Sequence, residues 1–465
     1  MTLREIGLWQ QDAQEEDDRL FYVREDFPDL LTGNKSLVIG RKGAGKTAIF
    51  NYLRNASLSK DYLFQSYEAD ALDYQKVGEI AANLAQVTAF WKDLIYTTSL
   101  TLLDRKYGEP VENSRLARAT GLLSQFANYI MQQDFEFEIK GLKISRSHSD
   151  DWQARAATSM NAVLDITQQL SDRPTIMVVF DRLDQGFRSR DDANPSGAYA
   201  RTVLGLIRAC FEIRRELSSA PISILPVVLL RTDIFDLLKD PDKNRWTDRA
   251  VMLRWHNSEI KRLLEYRIAR TFGVDPQDFP KGWLTIFNRD FVKDSYDGVS
   301  KKELFDFIEA RTAWRPRDYV YYIRECASYA DKAGDERIDF KRVLNTEYNY
   351  STYMRRELID ESGAHIPELD EVLQRLGSVV EKHPTKRFFD VDLFKSGFDL
   401  DDDSLKTLLQ SLYDINILGN RGVAKHGNSD ASDHRYAYNT DMYRSFNAKE
   451  GMVIHPAVHR FLRAR

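Results

Sequence analysis

An α/β fold, a parallel sheet with helices on both faces, is what this 465-residue sequence predicts, and three stretches predict it. The first is a short apolar run, LVIG at 37–40, that passes through a glycine-rich loop into a stretch with helical spacing. The second, PTIMVVFD at 174–181, is a continuous apolar run ending on an acid, as a strand covered on both faces reads. The third, PISILPVVLLRTD at 221–233, is another buried-strand pattern, ending on a cation. Helical spacing at 199–217 separates the last two, so strand and helix alternate as a parallel sheet requires.

The loop GRKGAGKT at 40–47 matches G-x-x-x-x-G-K-[ST] at every required position, and it lies between a strand and a helix as that pattern needs. Glycines let successive backbone N–H groups turn inward without Cβ clashes, and the positive end of the next helix completes a nest for anions. Gly40, Gly43, Ala44, Gly45, Lys46, Thr47 and Ala48 are therefore the expected nucleotide-binding residues. Lys46 is expected on the β- and γ-phosphates and the Thr47 hydroxyl on Mg²⁺. A turn that merely joins strand to helix is the plain alternative.

Asp181 ends the second strand, where an acid anchors Mg²⁺ directly or through water; a solvated aspartate at a strand end is the alternative. Many ATPases carry a glutamate directly after that acid. Here Arg182 follows instead, so Asp184 is expected to orient the attacking water. Arg231 closes the third strand, at the edge where open α/β sheets bind ligands. It is expected to sense the γ-phosphate, with Asp233 holding it or a neighbour in place; a surface salt bridge is the alternative. Residues 57–172 are too many for one crossover and read as an insertion decorating the core. They contain a helical pattern at 76–103 and, in FEFEIKGLKIS, an alternation at Phe135, Phe137 and Ile139 before Gly141 that predicts a β-hairpin.

From about 368 the pattern changes. Three helical stretches (LDEVLQRLGSVVEKH, FFDVDLFKSG and SLKTLLQSLYDINIL) precede two strand-like pieces, ILGNRG and RYAYN, separated by the polar AKHGNSDASDH. Three helices with a two-stranded wing predict a winged-helix domain. The segment MVIHPAVHRFL near the end reads as core packing with a terminal helix.

Together GRKGAGKTA, VVFDRLDQ, LLRTDIFDLL, DPDKNRWTDRAVMLRW and RPRDYVYYIRECA resemble the STAND and KAP-like branches of P-loop ATPases, relatives of the AAA+ group that includes origin-recognition initiators. In particular the chain is similar to bacterial stand-alone P-loop ATPases in which the P-loop NTPase domain is followed by a helical lid and a C-terminal winged helix. The resemblance spans nearly the whole chain, but its motifs are specific to nucleotide binding and not to a biological role. On this reading the core covers 1–256, the lid 257–366 and the winged-helix domain 367–465. The resemblance implies ATP over GTP, and no N-K-x-D guanine reader occurs in a suitable place. It also implies that Arg315 and Arg317, on a lid helix whose Pro316 and Asp318 suit a first turn, sense the phosphates; pairing with surface acids is the alternative. Arg245 and Arg249, in the charged stretch 240–249, are candidates for an arginine finger to a neighbouring subunit, against the plainer reading of a solvated loop.

Composition bounds the partners. With 43% hydrophobic and 29% charged residues the chain reads as ordinary globular protein, and its formal charge of −5 argues against a surface coated in positive charge for nucleic acid, leaving a local basic patch as the alternative. The N-terminal stretch lacks the features of a signal peptide and no apolar run reaches membrane-span length, so a cytoplasmic protein without a membrane partner is expected. Two cysteines, Cys210 and Cys326, read as buried thiols in a reducing compartment, and His148, His256 and His455 lack metal-ligand spacing.

Winged helices often read DNA with their last helix in the major groove. Here that helix begins after Asp401, Asp402 and Asp403 and carries Lys406 as its sole cation, so carboxylates meet phosphates. Arg421, Lys425 and Arg435, with Lys382, Lys386 and Arg387, are the remaining candidates for backbone contacts. Two functions are therefore expected of the Mg-dependent ATPase: a nucleotide-controlled switch that recruits a protein partner or its own copies, and, second, a DNA-associated ATPase with a loader, repair or phage-defence role. A module at 57–172 serving antiviral defence is a third reading, for which no nuclease, deaminase or protease motif is visible.

Overall fold

The computed structural model of the chain describes residues 2–10, 15, 17–68, 83–107, 137–139, 142–144, 151–187, 197–278, 282–288, 291–293, 301–312, 315–362, 366, 368–383, 389–421, 434–437 and 446–462. It forms two compact units, Val23–Arg254 and a second made of Met1–Tyr22 with Trp255–Arg465.

The first unit is built on five strands, β1 Leu37–Gly40, β2 Leu63–Glu68, β3 Thr175–Asp181, β4 Ser223–Arg231 and β5 Ala250–Met252. Their spatial order is β2-β3-β4-β1-β5 and every pairing is parallel. Five helices are central: α1 Lys46–Ser59, α2 Leu84–Tyr107, α3 Trp152–Thr167, α4 Ala198–Glu216 and α5 Thr232–Leu237. β1, β3 from Ile176 onward and the inner part of β4 are buried, which is why their sequences run apolar without alternation.

The stretch expected as an insertion, 57–172, is part of the core over much of what is described, while 69–82, 108–136, 140–141 and 145–150 lie outside the described residues. It supplies β2, which pairs with β3 along the whole of Leu63–Glu68, and α2 and α3, which belong to the main core. α2 is buried on nearly all sides, with Trp91 donating its indole N–H to the Thr202 carbonyl at 2.9 Å and meeting Phe180 edge-to-face at 5.5 Å. A helix buried on nearly every side, with Thr88, Asp93, Thr97, Thr98 and Ser99 among its buried residues, shows no amphipathic stripe, so its membership of the core is not legible from periodicity. The hairpin expected near Gly141 is present as antiparallel strands Phe137–Ile139 and Leu142–Ile144, while Phe135, Gly141 and His148 lie outside the described residues.

In the second unit, α6 Asn257–Thr271, α7 Pro316–Ala333 and α8 Phe340–Ser362 form the helical part, with a small hairpin of Phe291–Lys293 and Lys301–Glu303. α7 starts on Pro316 and stops at Gly334, whose φ of +75° closes the helix in the left-handed conformation. The chain's first residues join this unit and not the sheet: Gly7 packs on Ser328, and the Trp9 indole donates to Thr271 Oγ1 at 2.9 Å beneath the Arg267 guanidinium. The boundary expected between lid and last domain, at 366/367, does not separate two contact units. The reason is α8, whose Ser351 accepts from the Phe461 N–H at 3.1 Å and whose Glu347 takes both Arg311 and Arg460, at 2.7 and 2.9 Å.

The last part contains α9 Leu369–Lys382, α10 Val391–Phe398 and α11 Asp402–Asp414, followed by the antiparallel strands β6 Leu418–Asn420 and β7 Met452–Ile454. Of RYAYN, expected as the second strand, Arg435 bridges Asn420 antiparallel while Tyr438 and Asn439 lie outside the described residues, and the strand that pairs with β6 along its length is MVI, which the sequence reading took for core packing. Phe389 bridges Met452 from the other side, so MVI sits between two partners and is fully buried, which explains its uniform apolarity. Cys210 and Cys326 are both buried and unpaired, and burial pushes the Cys326 thiol up to about 12. Among the described residues no helix is long and apolar enough to cross a membrane.

Candidate functional site: the carboxyl edge of the sheet

The parallel register gathers the predicted residues at one edge. Gly40 at the end of β1 stands beside Arg231 at the end of β4, and Asp181 at the end of β3 stands beside Glu68 at the end of β2. β4 separates the loop-bearing strand from the acid-bearing strand. Such a carboxyl edge is where an open α/β sheet receives a ligand.

The loop is shaped by its glycines. Gly43 and Gly45 have φ of +79° and +103°, values that cost an L-residue with a Cβ about 1–2 kcal/mol. At Gly40 the constraint is space: an added Cβ would come within 2.8 Å of Leu253 Cβ and 3.3 Å of Ala44 Cβ. Leu253 is fixed there by its N–H bond to the Ile39 carbonyl at 2.7 Å. Gly45 immediately precedes α1, so the loop leads into the first turn of a fourteen-residue helix. Lys46 and Thr47 begin that helix, with Ala48 in the same turn, and all three are half-buried. The Lys46 ammonium folds back over the loop and donates to the carbonyls of Gly40 and Arg41 at 3.0 and 3.2 Å.

Asp181 is buried, and burial raises its carboxyl above its ordinary value; the Arg182 N–H and the charges of Lys46 and Arg182 oppose that rise, while Asp184 adds to it. The Arg182 N–H reaches Asp181 Oδ1 at 2.8 Å because Arg182 adopts a left-handed backbone, φ +56°. The chain then enters a short 3₁₀ turn, Leu183–Gly186, pinned by the Tyr199 hydroxyl donating to the Leu183 carbonyl at 3.1 Å. That turn presents Asp184 to Arg231 at 3.7 Å. Arg231 is gripped more firmly by Asp233, which accepts from Nε at 3.0 Å and from Nη2 at 2.6 Å.

Glu68 was missed by the sequence reading. It ends β2 in register with Asp181, and its carboxylate lies 3.3 Å from the Arg182 guanidinium. The signal in the sequence, FQSYEAD, is a short run ending on acids but lacks the uninterrupted apolar character of a buried strand.

The other candidates lie each within its own unit. Arg245 is almost fully exposed and pairs with Asp242 at 3.4 Å, whereas Arg249 donates to the Asn34 carbonyl at 3.2 Å. Arg315 and Arg317 belong to the second unit. Arg315 is 3% exposed and bound by Asp318 (2.7 and 3.0 Å) and Glu361 (2.9 Å); Arg317 pairs with Glu357 at 3.1 Å and keeps 28% of its side chain exposed. His455 is buried, and its Nδ1 accepts from the Ala457 N–H. Lys386, Arg387 and Lys425 lie outside the described residues.

Residues 258–359 match a family model described as the FunZ-associated C-terminal helical domain. A curated relative, the putative transposon gamma-delta 80.3 kDa protein of Escherichia coli (strain K12), is 22% identical over 94% of this chain, and the chain spans 63% of that protein's length. Among solved structures, the Aeropyrum pernix ORC2 protein in its ADPNP-ADP complexes aligns with 94% of this chain and 88% of its own at 13% identity, with a TM-score of 0.38. The Thermotoga maritima RuvB Holliday junction branch migration motor aligns with 84% and 85% at 12% identity and 0.29, and Drosophila ORC bound to DNA with 99% and 90% at 10% and 0.32. On its own geometry, with the G-x-x-x-x-G-K-T loop between β1 and α1 of a five-stranded parallel sheet, the first unit has the fold of a P-loop NTPase, and the second carries a helical domain similar to the FunZ-associated one.

Proposed function

We propose that the chain binds ATP with Mg²⁺ at the carboxyl edge of the sheet and hydrolyses it, acting as a nucleotide-controlled switch that engages a protein partner. One observation carries the reading: the loop of 40–45, with two left-handed glycines, feeds the start of α1 while Asp181 ends a strand on the same edge. Backbone N–H groups there would hold phosphates, and Lys46 would exchange its contacts with the Gly40 and Arg41 carbonyls for the β- and γ-phosphates. The Thr47 hydroxyl and the Asp181 carboxylate are hard oxygen donors that fit Mg²⁺, and a cation also relieves the burial that raises Asp181. Bound Mg²⁺ would neutralise charge developing on the transferred phosphoryl group.

Asp184 is our candidate for orienting the attacking water, with Arg231 beside it as the γ-phosphate sensor. The pair couples the two roles, since an arginine drawn to a phosphate releases the acid it neutralised. Glu68 is the competing acid. Of the two lid arginines, we assign phosphate sensing to Arg317, because the Arg315 guanidinium is already spent on the buried Asp318 and on Glu361.

The second reading is a DNA-associated ATPase in which 367–465 acts as a winged helix. It is favoured by the transposon named in the curated relative's description and opposed by the acids at the start of α11. ATP hydrolysis by the purified chain, with and without duplex DNA across a salt series and with Lys46→Ala as the blank, separates the two. Stimulation that fades as salt rises supports the DNA role. Hydrolysis indifferent to DNA supports the switch, and turnover equal to that of the blank refutes both.

A further inference from the structure

In the last part of the second unit a groove of about 560 Å³ runs between α9 and α11. Its walls are apolar where Val372, Phe398, Leu400 and Leu408 meet, and Leu400 is 36% exposed. Its rim is acidic, with Glu368 and Glu371 on one side and Asp403 on the other. Among the described lining residues the one cation, Arg375, turns its Nη1 onto the Phe398 carbonyl at 3.4 Å.

One feature of the backbone marks this rim: Glu368, just before α9, is a non-glycine residue with a left-handed φ of +59°. Glycine would hold that turn without the Cβ penalty of about 1–2 kcal/mol, so the position keeps a carboxylate at a conformational cost. Strain of this kind gathers at binding sites, where the side chain and not the fold sets the choice of residue.

We infer that this groove docks an amphipathic basic segment of another protein, with apolar anchors laid against Leu400 and Leu408 and Lys or Arg side chains on the acidic rim. Charge complementarity selects this occupant. Apolar anchors at helical spacing are how a groove reads a partner helix, and surrounding opposite charges set its register. The same three acids oppose a nucleic-acid backbone. The inference goes beyond nucleotide turnover and does not depend on it.

The test uses the full chain without nucleotide and two fluorescent peptides, one with leucines at i, i+3, i+4 and i+7 among lysines, the other with glutamates in place of the lysines. Fluorescence anisotropy should show salt-sensitive binding of the leucine–lysine peptide and none of its acidic twin. Glu371→Lys with Asp403→Lys should weaken it at least about tenfold and admit the acidic twin. Leu400→Asn, which alters no charge at an exposed position, should also weaken it about tenfold. Thermal melting identifies a variant that has lost its fold, and the two variants change different properties of the groove. Equal affinity in wild type and both folded variants overturns the proposal. So does duplex DNA binding lost in Leu400→Asn, which would give the groove to DNA, and so does self-association lost in that variant, which would give it to a second copy.

Discussion

Replacing Asp184 by alanine tests the chemistry with little risk to the fold. The Asp184 side chain is 31% exposed and lies 3.7 Å from Arg231, so the ion pair is worth under about 1 kcal/mol. Arg231 stays anchored in the variant, because Asp233 holds it by two bonds of 3.0 and 2.6 Å. For a unit of this size 1 kcal/mol shifts Tm by about 2–4 °C, so the expected loss is at most about 4 °C. An acid that orients the attacking water contributes about 10²–10⁴-fold, equivalent to about 2.7–5.4 kcal/mol of barrier. The catalytic effect therefore exceeds the stability effect severalfold, and the two separate cleanly. Steady-state phosphate release gives kcat, calorimetry gives the ATP affinity, and melting gives Tm. The expected result is a kcat reduced at least about a hundredfold with ATP affinity retained or tightened, since a negative charge near the phosphates is gone. A kcat within about threefold of wild type refutes the assignment. If Glu68→Gln then gives the loss, Glu68 orients the water, and its pairing with Arg182 at 3.3 Å is the contact that nucleotide must rearrange.

Arg231→Ala should weaken discrimination between ATP and ADP, and equal affinity ratios in mutant and wild type by calorimetry would remove its sensor role. Asp181→Asn should raise the Tm of the nucleotide-free chain while abolishing Mg-dependent turnover. The sign follows from its raised pKa: the folded chain holds the proton more tightly than the unfolded one, so ionised Asp181 destabilises the fold increasingly as pH rises from the unfolded value through the folded one. The gain in Tm should accordingly vanish below the ordinary carboxyl range, and a gain independent of pH contradicts it. Arg315→Ala strands Asp318, which is fully buried, and should cost about 3–5 kcal/mol by denaturant melting, whereas Arg317→Ala should cost under about 1 kcal/mol. Comparable losses for the two would remove the structural distinction drawn between them.

The loop and its strand were legible because glycine spacing is a local requirement. Gly43 and Gly45 need positive φ wherever such a loop occurs, so LVIGRKGAGKT announces strand, nest and helix together. Asp181 and Arg231 were legible for a related reason: each ends an uninterrupted apolar run, and buried parallel strands terminate at the ligand edge. Glu68 was not legible, because β2 is half-exposed along most of its length and lacks that run. The crowding at Gly40 was equally hidden, since Leu253, which excludes a Cβ there, lies more than two hundred residues along the chain.

By itself the sequence determined the strand–loop–helix with its glycines, the strands ending on Asp181 and Arg231, and the helix opened by Pro316, all features written within a few consecutive residues. Tertiary structure alone decided which acids share an edge, that Arg315 is spent on Asp318 and Glu361 while Arg317 stays partly exposed, and that MVI forms a strand paired on both sides. Register, burial and charge pairing are properties of distant segments brought together, and a pattern read along one stretch of chain carries no information about its neighbour across the sheet.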